Sequence, residues 1–134
     1  MTVELTYLTM TAILAAVMWI PYILGVNMHP SEDVNADFLR PRDLKSVPPW
    51  VHRSHRAHLN LLEQLLPMAV LVLIAAQAGV SNTVTVWCVA LFFWVRLAHA
   101  VGMVSGVTRF PARPIIFTAG WLCILVFAWQ LVAA

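Results

Sequence analysis

The stretch "VHRSHRAHLNLLEQLLPMAVLVL", residues 51–73, begins as a wet basic helix and ends as a membrane span. From Leu65 to Ala76 the chain is continuously apolar. Between the basic and apolar halves stand Asn60 and Glu63, one turn apart, where the chain enters lipid. A carboxylate turned toward hydrocarbon is costly, so whatever covers Glu63 decides how the chain folds.

The rest of the composition points to the same environment. Of 134 residues, 61% are apolar and 10% charged, whereas soluble domains carry about 25% charged residues. A soluble fold of this size has no interior large enough for that apolar content, so the excess faces lipid. The net charge of +2 and the lack of a basic run with interleaved aromatics argue against a nucleic-acid partner. Cys88 and Cys123 lie inside apolar runs without CxxC spacing and read as small apolar fillers. "MTVELTYL" lacks a basic n-region and leads into a run too long for a signal peptide, so it reads as a permanent first span.

Working outward from Glu63, four segments approach the roughly 20 residues a helix needs to cross hydrocarbon. They cover about 5–26, 56–79, 83–104 and 114–133, within a single domain of 1–134. The fold class is therefore an all-α membrane protein, a bundle of four transmembrane helices. Pro21 should kink the end of the first span. Only "AGVSN" separates the second and third, which makes them a tight antiparallel hairpin. Trp19, Trp50, Trp87, Trp121 and Trp129 lie near span ends, as an aromatic belt requires, whereas Trp94 does not. The connection "NMHPSEDVNADFLRPRDLKSVPPW" carries Arg40, Arg42 and Lys45, and "GVTRFPARP" carries Arg109 and Arg113. The hairpin turn and the C-terminal tail carry no charge. The positive-inside rule therefore puts loops 27–55 and 105–113 in the cytoplasm and both termini on the opposite side.

The polar residues inside the spans are the candidate site. On a helical wheel Arg53, Arg56, Asn60, Glu63, Gln64 and Pro67 share an arc of about 120°. Such a stripe must face protein or water. Arg96, His99 and Met103 form one face of the third span. Folding the hairpin about residues 80 and 81 sets Glu63 level with residue 98, between Arg96 and His99. An isolated charge at that depth costs several kcal/mol, so this register predicts a Glu63–Arg96 ion pair. Glu63→Gln would then destabilise the bundle. "RFPARPIIF" places Arg113 before Pro114 at the head of the fourth helix, where free N–H groups and the helix dipole favour an anion. With Arg53 and Arg56 it forms a cationic mouth; Arg109 and Arg40 read better as headgroup anchors. His52, His55 and His58 fan over about 120° and no Cys or carboxylate completes a metal site among them. Ser54, Ser81 and Ser105 stand in no nucleophile motif.

"RSHRAHLNLLEQLLP", "RLAHAVG" and "RFPARP" together resemble the second helix, the third helix and the following loop of the MAPEG family (membrane-associated proteins in eicosanoid and glutathione metabolism). The resemblance spans nearly the whole chain and looks like a bacterial-type member. It implies a homotrimer of four-helix subunits, with glutathione as co-substrate bound between subunits on the cytoplasmic side. It further implies a membrane-embedded glutathione-dependent transferase or peroxidase, whose lipophilic electrophile or hydroperoxide arrives from the bilayer. By position, Arg53, Arg56, Asn60 and Glu63 would bind glutathione with Arg96 and His99, and Arg113 would be the catalytic residue that stabilises the thiolate. Asp33 stands near a loop acid of one branch. Leu59, Met103 and Pro114 depart from that branch, which has a basic residue, a Tyr and a Ser there; each removes a polar contact. The alternative implied by the family is a non-catalytic lipid-binding or scaffold membrane protein.

Overall fold

The computed structural model describes residues 1–30, 43–107 and 112–134, apart from the side chains of Leu44 and Arg113. Arg40, Arg42, Arg109 and Asp33 lie outside the described residues, as does the Arg113 side chain. Four helices carry the fold: α1 Val3–Met28, α2 Pro49–Ala78, α3 Thr83–Ser105 and α4 Ala112–Val132. All four are long and apolar enough to cross a membrane. A single 3-10 turn at Leu44–Ser46 precedes α2, with Asp43 capping it through Lys45 N–H at 2.9 Å.

Local chemistry fixes the helix ends. Thr2 caps α1, which runs on through Pro21 to Met28. Pro49 opens α2 at the position where a missing N–H costs nothing. Helix α2 is 30 residues long, about 45 Å at the α-helical rise. A bilayer core of about 30 Å leaves roughly ten residues projecting from it. With the α2–α3 turn at one membrane surface, the projecting end is the basic one, and Glu63 sits about one turn inside the apolar layer. The turn itself is short. Gly79 ends α2 in the left-handed region at φ 69°. Asn82 then caps α3 reciprocally with Thr85.

The α2–α3 hairpin forms the middle of the bundle. Helix α1 packs against one side of it and α4 against the other, and α1 and α4 do not meet among the described residues. Two apolar cores fill the grooves. One gathers Met68, Val72, Val89, Phe92, Ile124 and Phe127; the other gathers Ala15, Met18, Leu61, Leu65, Ala100 and Met103. The outer surface is also apolar, with Ile13, Leu24, Leu66, Leu73, Trp87, Leu91, Trp94, Leu122 and Trp129 exposed, as a chain surrounded by lipid requires. The chain is an integral, multi-pass membrane protein.

One buried acid ties the far end together. Glu4 accepts hydrogen bonds at 2.7 Å from both Ser81 Oγ and Thr85 Oγ1. It thereby fastens the start of α1 to the α2–α3 turn, close to the positive end of α3. Cations are placed at the opposite end of the bundle.

Candidate functional site

The polar arc of α2 divides into an inner edge and an outer centre. The buried stripe of this helix runs Ala57, Leu61, Gln64, Met68, Val72, Ala75, a spacing of three or four residues throughout. Gln64 lies on that stripe. Glu63, one residue and about 100° away, lies off it and is exposed, as is Arg56; Asn60 between them is half-buried.

Arg96 and Glu63 are therefore not brought together. Arg96 is 1% exposed and its Nη2 donates to the Ile116 carbonyl at 3.1 Å. The predicted Glu63–Arg96 ion pair does not form within the chain. Gln64 occupies the place expected for Glu63, and its Nε2 donates to the Phe117 carbonyl at 3.1 Å. The physical reason is the phase of the apolar stripe: turning Glu63 inward would turn Leu61, Leu65 and Met68 out of the core. An amide also loses far less hydration than a carboxylate on burial. The guanidinium is instead sandwiched near two rings, 6.0 Å from the Phe92 centroid and 5.6 Å from that of Phe117.

The register argument for α3 itself holds. Arg96, His99 and Met103 share one face, and all three are buried. They face the interior of their own chain. Glu63→Gln should accordingly change resistance to unfolding by less than about 0.5 kcal/mol, where loss of a buried pair would cost about 3–5 kcal/mol. Denaturant titration in detergent, followed by circular dichroism, distinguishes the two; a multi-kcal loss would restore the pair.

Arg53 also has a local task. Its Nε donates to the Met103 carbonyl at 3.1 Å, at the negative end of α3. Gly106 closes that helix at φ 77°. A Cβ on Gly106 would lie 2.9 Å from Arg53 Nη2, so the glycine makes room for the guanidinium. Histidine rings face α1. His55 stacks on Tyr22 at 4.4 Å between centroids and His58 meets Trp19 at 5.7 Å. His52 is half-buried, one turn before His55.

At the head of α4, Ala112 is the first helical residue, so Arg113 and Pro114 follow at the second and third positions. The first turn of α4, the projecting end of α2 and the C-terminus of α3 lie at the same end of the bundle. Arg56, Asn60 and Glu63 lie on the outward side of α2 toward that end.

A model of the MAPEG family matches residues 5–133 of the chain. The chain belongs to the MAPEG family. No individual curated protein matches it. Of the three departures from the better-endowed MAPEG branch, Met103 is in the apolar core, Leu59 is exposed beside Arg56 and Asn60, and Pro114 is exposed in the first turn of α4. Gly120 and Glu4 are the packing and polar residues that the motif reading missed. Gln64 stands in the polar arc read from the sequence, and its inward turn was detectable from the phase of the α2 stripe. Glu4 was not, because its partners are remote in sequence.

Proposed function

We propose that this MAPEG member is a glutathione-dependent transferase or peroxidase acting on lipophilic electrophiles or hydroperoxides. The observation that carries the reading is the outward line Arg56, Asn60, Glu63 on α2. Two exposed charges and a half-buried amide at the edge of the apolar layer require a polar cover. A second copy of the chain supplies it in a homotrimer, and a zwitterionic tripeptide held between copies satisfies both signs: Arg56 takes a carboxylate and Glu63 takes the ammonium.

The reaction in this reading is attack by a thiolate. Arg113 and the first turn of α4 stabilise the glutathione thiolate. The thiolate attacks an electrophilic carbon, a C–S bond forms and the leaving halide departs with the bonding pair. With a hydroperoxide it attacks the distal oxygen and the O–O bond breaks. The alcohol leaves after protonation, and a second glutathione converts the sulfenate to disulfide and water. The basic segments 27–55 and 105–113, helical ends included, lie in the cytoplasm, where glutathione is supplied, and the termini on the other side.

The test is turnover of purified protein in detergent with glutathione and a chlorinated nitroaromatic, or a fatty-acid hydroperoxide. Saturable turnover above the uncatalysed rate is expected; none with either class overturns the reading. A second reading, a non-catalytic lipid-binding or scaffold protein, is favoured by Met103 and Leu59, which put apolar side chains where polar contacts would be. It predicts thermal stabilisation by lipid with no response to millimolar glutathione.

A further inference from the structure

Gln64 and Arg96 reach α4 from two different helices and end at neighbouring carbonyls, those of Phe117 and Ile116. These carbonyls belong to residues three and four places after Arg113, so they lie one turn down the same side of α4. Both side chains arrive through one opening. A Cβ on Gly120 would lie 2.5 Å from Gln64 Oε1, 2.9 Å from Arg96 Nη2 and 3.1 Å from Arg96 Nε. Only the absence of a side chain at Gly120 lets the amide and the guanidinium rest against the backbone of α4.

Such a grip is an expensive way to hold two helices together. Gln64 Oε1, Arg96 Nε and Arg96 Nη1 are buried and have no hydrogen-bond partner among the described residues. Apolar side chains of similar volume would join the helices at lower cost. What apolar packing does not supply is a directional hold on carbonyls, which fixes the rotation and height of the helix that offers them. Neither side chain can contact a molecule on the outer face, since Gln64 is 4% and Arg96 1% exposed.

We propose that Gln64 and Arg96 are positioning residues, which set the rotation of the first turns of α4, the part of the helix that carries residue 113. The proposal rests on the glutathione reading above. It makes the buried polar cluster part of the reaction without any contact to substrate.

The experiment uses the full chain in detergent, as wild type, Gln64→Leu and Arg96→Lys. Gln64→Leu removes the amide at nearly constant volume, and Arg96→Lys keeps the charge but loses the fork. Three quantities are read: amide exchange along α4, ultraviolet absorbance of the glutathione thiolate at saturating glutathione, and kcat against KM. Faster exchange confined to residues 112–117 is expected, with a weaker thiolate signal. The kcat should drop by about tenfold, with KM for glutathione within about twofold, as loss of an interaction felt mainly in the transition state demands. Folded variants with unchanged exchange at 112–117 and an unchanged thiolate signal overturn the proposal. So does faster exchange spread along all of α4 with a rise in KM alone, which is the mark of general loosening. If neither variant folds, the cluster is structural and the proposal also falls. A wild type without thiolate signal or turnover would sink the glutathione reading instead. The exchange pattern would then still decide whether the grip on α4 exists.

Discussion

Gly120→Leu is expected to lower the resistance of the bundle to unfolding by about 3 kcal/mol, and Gly120→Ala by about 1 kcal/mol, despite the better helix propensity of both residues. The magnitudes oppose one another. Alanine gains about 1 kcal/mol over glycine inside a helix. Against this, its Cβ would meet Gln64 Oε1 at 2.5 Å and Arg96 Nη2 at 2.9 Å. The amide can rotate away only by giving up its bond to the Phe117 carbonyl, in a site where Gln64 is buried. An interhelical hydrogen bond within a membrane is worth only about 0.6 kcal/mol on average, so the overpacking, at about 1–3 kcal/mol, dominates. Leucine adds three further carbons where two polar side chains already stand, and α4 must move off α3. The measurement is reversible unfolding by dodecyl sulfate in mixed micelles, read by tryptophan fluorescence. A Gly120→Ala variant more stable than wild type would show that the amide and guanidinium are not held there.

The same cluster shows how far the sequence could be read. The four spans follow from apolar length, and the hairpin from the shortness of "AGVSN". The inward face of α3 was also legible, because Arg96, His99 and Met103 repeat at helical spacing inside an apolar run. The rotation of α2 was not legible from charge. Counting charges pairs Glu63 with Arg96, while packing turns Gln64 inward, because Gln64 continues the line of Leu61 and Met68. Burial of seven apolar residues along α2, from Val51 to Ala75, outweighs one ion pair, whose Coulombic gain is largely offset by desolvation. The start of α2 was set too late for a related reason. Residues 49–55 look like a polar loop, yet they are helical, with His55 packed on Tyr22 of α1. Glu4 depends on Ser81 and Thr85, contacts across most of the chain that no local pattern announces.

Arg113→Ala is expected to cost roughly two to three orders of magnitude in kcat, about 3–4 kcal/mol of barrier, with KM for glutathione nearly unchanged. The argument starts from the thiol. A free thiol with pKa about 8.5 is only a few per cent ionised at neutral pH. In the proposed reaction Arg113, with the free N–H groups of the first turn of α4, favours the thiolate and its attack. Removing it raises the pKa of the bound thiol, so the acidic limb of the kcat profile moves to higher pH. The sign is decisive: the deficit of the variant should be largest near pH 6 and shrink above about pH 9, where the thiol ionises unaided. Arg113→Lys keeps a point charge without the planar fork, and should fall between the two. Because Arg113 is the second residue of α4 and alanine is the better helix former, circular dichroism of the alanine variant should match wild type. Equal kcat for both proteins across this pH range would remove Arg113 from the chemistry and leave the outward line of Arg56, Asn60 and Glu63 as a binding surface without a catalyst.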